Sequence, residues 1–218
     1  MQQYPYTSPQ ILTDSVFLLY GGNSGTSSAA QRQAAYLLAE EQMTEHLSAF
    51  LVQTIITGSA SWRGGVLFDA EFGHIQNILL ASITTIKQFS PLQTQVYTGS
   101  ALIRNAEYGY VDIFASNCTY GNIYSATLVY QSGLSTGTVT SPTMLSALSL
   151  AAQINLNEWD ISLSNEGTAD VGIQKFSNQS YFEDRKFLKN TVFGNSAMAQ
   201  RVARLTQKYR AKPSIGFR

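Results

Sequence analysis

The sequence predicts an α+β fold, on three observations. A long run, "AAQRQAAYLLAEEQMTEHLSAFLV", holds neither Gly nor Pro and repeats its large apolar residues at helical spacing. From about Gly58 the texture changes to short segments rich in Val, Ile, Thr and Tyr, broken by Gly, Asn, Ser and Pro. Helical patterns then return after Ser141-Pro142 and again at the basic C-terminal end. A chain of 218 residues is long enough for one good-sized core, or for one core with an inserted subdomain.

Residues 1–27 are expected to form an N-terminal arm: two prolines in "MQQYPYTSPQ", a short apolar stretch from Ile11 to Tyr20, then the Gly/Ser loop "GGNSGTSS". Ser28 with Gln31 fits a capping box, so the first long helix starts there. Tyr36, Met43, Leu47 and Phe50, with Ala39 filling the gap, form its apolar stripe, and Arg32, Glu40, Glu41 and Glu45 lie mostly off it.

Four to six strands, paired mainly antiparallel because their connections are short, are expected in a β-rich insert around residues 58–135. Ser141-Pro142 starts the next helix, with proline in the first turn where its missing N–H costs nothing. Two further strands, "EWDISLS" and "DVGIQKF", complete a core spanning 28–182. Residues 183–218 form the basic helix and tail, in which Met198, Val202, Leu205 and Tyr209 recur on one face and Arg201, Arg204 and Lys208 on the other.

Charge is low, at 13% of residues, and balanced overall, but it is unevenly spread. From Glu183 onward lie nine of the 14 Lys and Arg and two of the 14 Asp and Glu, so the end carries about +7 and the body about −7. That asymmetry points to a partner or to subunit contact. A single cysteine, Cys118, excludes an internal disulfide framework and a multi-Cys zinc site. No basic region precedes the apolar stretch at Ile11, and no apolar run reaches the ~18 residues of a membrane span. A soluble chain from a reducing compartment is expected.

The sequence offers no catalytic, cofactor-binding or metal-binding constellation. "GGNSGTSS" precedes a helix N-terminus but lacks the Walker A lysine and the GxGxxG spacing, so it reads as a linker and cap. His46 beside Glu45 reads as a solvated helix face, His74 as a sheet or turn residue, and Cys118 as a small buried hydrophobe. An enzyme is not expected.

In element order, residues 28 to 218 resemble the head–tail connector (adaptor, or head-completion) proteins of tailed bacteriophages. The resemblance rests on "SAAQRQAAYLLAEEQMTEHLSAFL", the β-rich insert, "SPTMLSALSLAAQ", "WDISLSNEGTADVGIQKF" and the closing Tyr209-Arg210 pair in "LTQKYRAKPSIGFR". The larger insert is similar to that of podovirus-like and crAss-like connectors. The resemblance implies a helical connector core with an inserted antiparallel β-rich subdomain. It also implies a virion role: a ring, usually of about twelve copies, below the portal protein, holding the next tail or neck ring and continuing the channel through which genomic DNA passes. Its C-terminal segment would dock on the portal or on a neighbouring subunit through Arg201, Arg204, Lys208, Arg210, Lys212, Phe217 and Arg218. Other readings of the basic end are a nucleic-acid-binding accessory protein, or another tail-completion or capsid-associated subunit.

Overall fold

The computed structural model describes residues 5–62, 67–86, 94–98, 100–114, 123–164, 192–194 and 196–211. The fold is α+β, as the sequence predicts, and divides into two units. Met1–His46 with Gly137–Tyr209 form a helical unit, and Leu47–Thr136 with Arg210–Arg218 form a β unit.

The helical unit begins with a correction. The apolar stretch read as part of an arm is a helix, α1 (Asp14–Leu19), capped by the Thr13 hydroxyl, which accepts the Val16 N–H. Its Phe17 is fully buried, 5.2 Å from the Tyr36 ring of α2 (Ala29–Leu47). Gly22 is held to glycine by this packing, since a Cβ there would lie 2.3 Å from the Phe17 ring. The expected capping box opens α2: the Ser28 N–H donates to Gln31 Oε1 at 2.7 Å, and the Gln31 N–H to Ser28 Oγ at 3.3 Å. Tyr36, Ala39, Met43, Leu47 and Phe50 are buried as the stripe predicted.

Glu40 is the second correction. Read as off the stripe, it is fully buried, because its carboxylate accepts the N–H groups of Gln10, Ile11 and Leu12 at 2.7–2.8 Å. Three consecutive amides replace the water that a buried carboxylate loses. His46 is also buried rather than solvated, with its ring 5.3 Å from that of Phe193.

After a short helix, α3 (Thr136–Val139), α4 (Pro142–Ser164) starts at the proline with Ser141 Oγ accepting the Met144 N–H. It packs against α1, and its Asn155 amide donates to Ala35 O and Gln42 Oε1 of α2. The segment "EWDISLS", expected as a strand, is the last part of this helix. Nothing between Leu156 and Ser164 breaks a helix already under way, and local β propensity yields to continuation. "DVGIQKF" and Cys118 lie outside the described residues.

The β unit holds seven strands among the described residues, more than the four to six expected, and they begin earlier than Gly58. They are β1 (Thr54–Trp62), β2 (Leu67–Asp69), β3 (Ile75–Ile86), β4 (Thr94–Thr98), β5 (Ser100–Asn105), β6 (Tyr110–Phe114) and β7 (Ile123–Ser132). All pairings are antiparallel, as expected: a four-stranded sheet in the order β1-β7-β3-β4 and a three-stranded sheet in the order β2-β6-β5.

The two sheets meet face to face through alternating buried residues: Ile56, Ala81, Ala126, Leu128 and Tyr130 from one, Phe68, Val111 and Ile113 from the other. Gly58 of β1 lies over the Phe68 ring, where an added Cβ would sit 3.2 Å from it. His74 precedes β3 with φ 52°, a turn residue as read from the sequence.

Candidate functional site

The basic helix forms where its sequence places it. In α5 (Ala197–Thr206) Ser196 is the N-cap, its hydroxyl accepting the Ala199 N–H at 3.1 Å, and a 3₁₀ turn, Gln207–Tyr209, follows. Arg204 and Lys208 near the C-terminal end complement the helix dipole.

The buried seam differs from the apolar face expected. Ala199, Val202 and Thr206 are fully buried against α4, while Met198 is 37% exposed and Leu205 and Tyr209 are half-buried. Of the residues expected in the core, Val202 alone is fully buried. Small residues allow the close approach to α4, and Thr206 is admitted because its hydroxyl donates to Val202 O at 2.9 Å, leaving no unpaired polar atom.

Rotating the seam leaves the cationic face outward. Arg201, Arg204 and Lys208 are exposed, and Arg210 is half-buried. Among the described residues no carboxylate lies within ion-pair distance of any of these four; the two ion pairs there are Arg32–Asp14 and Arg104–Asp112. Lys208 Nζ instead lies 4.7 Å from the centroid of the Tyr209 ring. The Lys208 ammonium, then the Ser141 hydroxyl, hold the Tyr209 phenol below its ordinary pKa.

In the β unit the chain is pinned again just beyond this helix. The Ala211 N–H donates to Leu47 O at 2.8 Å, satisfying a carbonyl that the end of α2 leaves open. Ala211 is fully buried, and Gly73 must be glycine beside it, since a Cβ there would come within 2.4 Å of Ala211 Cβ. Residues 212–218 follow from this fixed point. Lys212, Phe217 and Arg218, expected to dock on a partner, lie outside the described residues.

The Gly/Ser loop that resembles a phosphate cradle is engaged within the chain. The Asn23 N–H donates to Gln153 Oε1 at 2.7 Å, and the Gly25 N–H to Asn23 Oδ1 at 3.0 Å. Among the described residues no group of three or more His, Cys, Asp or Glu side chains could hold a metal ion, and no helix is long and apolar enough to cross a membrane. The arrangement at α5 offers an array of positive charge on a seated helix, fit for docking on an anionic surface.

Sequence reasoning missed the Glu40 carboxylate, whose partners are the backbone amides of residues about thirty positions earlier. An acidic residue set among Tyr36, Ala39 and Met43 on α2 was the available signal.

No family model matches the sequence, and no curated protein matches it. Among solved structures, a chain from one described as "Neck of empty GTA particle computed with C6 symmetry" is similar at a TM-score of 0.49 and 12% identity, covering 94% of this chain and 92% of that one.

Proposed function

We propose that this chain is a structural virion protein of the head–tail neck, forming a ring of about twelve copies below the portal and continuing the DNA channel. The element order that resembles head–tail connectors is the origin of this reading. The observation that carries its docking step is the face of Arg201, Arg204 and Lys208, exposed on a helix seated through Ala199, Val202 and Thr206 and unmatched by any described carboxylate.

Long-range attraction would bring such a face to an acidic partner surface faster than diffusion alone, and salt would weaken it. Short-range apolar contacts from Met198 on the helix, and from Phe217 in the tail, would then hold the complex. In this reading the chain contributes no catalysis.

A second reading uses the same cations. Arg201, Arg204 and Lys208 could neutralise DNA phosphates, and three such contacts would give a slope of log K against log salt of about −2.7. Two measurements separate the readings. Quantitative mass spectrometry of purified particles of the encoding element should count about a dozen copies of this chain per particle. Hundreds of copies would indicate a capsid-associated subunit. Absence from particles, together with DNA binding lost on reversing the three cations, would replace the neck reading with the nucleic-acid one.

A further inference from the structure

We infer that the outer edge of β1 is an inter-subunit surface, which pairs with the outer edge of β4 on a second copy of this chain. The starting observation is compositional: β1, β3, β4 and β7, the whole four-stranded sheet, contain no charged residue. The three-stranded sheet, with well under half as many strand residues, carries Asp69, Arg104 and Asp112.

An edge strand presents a row of unpaired N–H and C=O groups, and proteins that must stay apart block that row with charge, proline, a bulge or short length. The three-stranded sheet uses three of these devices. Its edge β5 carries Arg104, paired with Asp112 at 3.0 Å, and a register shift between Ile103 and Asn105; its other edge, β2, is three residues long. Among the described residues, the edge at β1 from Ile55 onward uses none. It runs in unbroken register from Thr54↔Ser132 to Trp62↔Tyr124, without proline or charge, and the irregularities of this sheet fall in the interior strand β3.

The outward face beside this edge is also unprotected. Ile55 is 62% exposed while its neighbour Ile56 is buried, and Leu79 and Leu80 of β3 are each 49% exposed. Cross-strand register puts Thr57, Val129 and Leu80 in one row and Ile55, Gln131 and Asn77 in the next. A charged strand laid along Ile55–Ser59 would lose hydration without gaining an opposite charge, so the edge selects an uncharged strand.

The other edge of the same sheet, β4 (Thr94–Thr98, "TQVYT"), is such a strand, and every further copy brings one. The choice of β4 rather than a second β1 rests on the ring reading above. A β1–β1 contact is two-fold and closes at a dimer, whereas β1 against β4 is head-to-tail and adds copies around a ring.

Sedimentation equilibrium of the full-length chain, with Ile55→Lys/Thr57→Lys as the variant, tests the inference. Both side chains are exposed, so the variant should keep the native circular dichroism. Ser59→Lys, also at an exposed position, is the second variant should the first fail to fold. The wild type should grow past the dimer mass as concentration rises, and the lysines should weaken that growth by about tenfold or more. Growth that stops at a dimer, a wild type monomeric at every concentration, or a lysine variant that assembles like the wild type each overturns the inference.

Arg201→Glu/Arg204→Glu/Lys208→Glu should assemble as the wild type does, and its loss of self-association would move the contact to α5. The copy count in particles is read separately. A dozen copies with unaffected lysine variants sinks the edge pairing and leaves the ring, while lysine-sensitive assembly of a chain absent from particles sinks the ring and leaves the pairing.

Discussion

At the N-terminal end Asp14, Arg32 and Glu40 all find partners inside the fold, whereas Arg201, Arg204 and Lys208 near the other end face away from it. Asp14 takes two hydrogen bonds from the Arg32 guanidinium, at 3.0 and 2.8 Å, and one from the Tyr36 hydroxyl at 2.8 Å. Glu40 gathers three backbone amides. Charge near the N-terminus is thus spent on closing α1 and its leading segment onto α2. Among the described residues, the cations of α5 and of the turn after it make no ion pair, and Lys208 stacks only on its neighbour Tyr209. Substitutions at the first end should therefore cost stability, and those at the second end should cost binding.

The largest stability effect is expected at Phe17. Truncation to alanine removes a fully buried ring lodged between Tyr36 and Gly22 and should cost about 3–5 kcal/mol in denaturant unfolding. A loss under about 1 kcal/mol would mean that α1 is not part of the cooperative unit, which would break the comparison at its first term.

Glu40→Ala comes next. It strands the N–H of Leu12, whose bond is buried, and those of Gln10 and Ile11, which are partly so. Each orphaned amide costs about 1–3 kcal/mol, offset in part by no longer burying a carboxylate, so roughly 2–4 kcal/mol is expected. Glu40→Gln keeps one acceptor oxygen and should recover part of the loss. Hydrogen exchange at residues 10–12 provides the local check, since those amides should lose protection first.

These two residues also mark how far the sequence could be read. Ser28 with Gln31 and Ser141-Pro142 fix helix starts through partners within three residues, so composition alone placed them. The stripe of Tyr36, Met43 and Leu47 was legible for the same reason. Glu40 was not, because charge predicts solvent unless the amides that replace it are known, and they come from a distant segment. The seam of α5 was misread for a different reason: Ala199 and Thr206 carry little apolar signal, yet their small size allows the close approach to α4. The sheet order β1-β7-β3-β4 depends on β1–β7 pairings between residues more than sixty positions apart, which alternation within a strand cannot specify. The site was legible in its cations and not in their setting, since exposure of Arg201 and Arg204 follows from the seam.

A smaller effect is expected where charge near the N-terminus is most exposed. Asp14 is held below its ordinary pKa of 3.8, first by hydrogen bonds from Arg32 and then by that from Tyr36. Its contribution is full above that ordinary value and is lost as pH falls through the lower folded value. With the Asp14 side chain 47% exposed, solvent screens the pair, so Arg32→Gln should cost far less stability at pH 7 than either substitution above. The gap between wild type and variant should close in strong acid. A gap that persists there would mean that Arg32 acts by packing, or through its bond to Ser27 O, rather than through Asp14.

The smallest effect on stability is expected from Arg201→Glu/Arg204→Glu/Lys208→Glu, and here the two ends should separate most clearly. None of the three has a described ion-pair partner, so reversal should move the unfolding free energy by no more than about 0.5 kcal/mol per site. The seam of Ala199, Val202 and Thr206 is untouched, and the helix should stay seated. If the chain docks as proposed above, incorporation into particles should by contrast fall sharply, because the reversed charges would repel an acidic partner surface. Lys-for-Arg replacements at 201 and 204 keep the charge and should largely restore incorporation if steering is the role, but not if a bidentate pair forms with the partner. A triple variant that incorporates normally would show that the positive end is a solvated face. One that unfolds would show that these charges, like those of Asp14 and Glu40, are spent inside the fold.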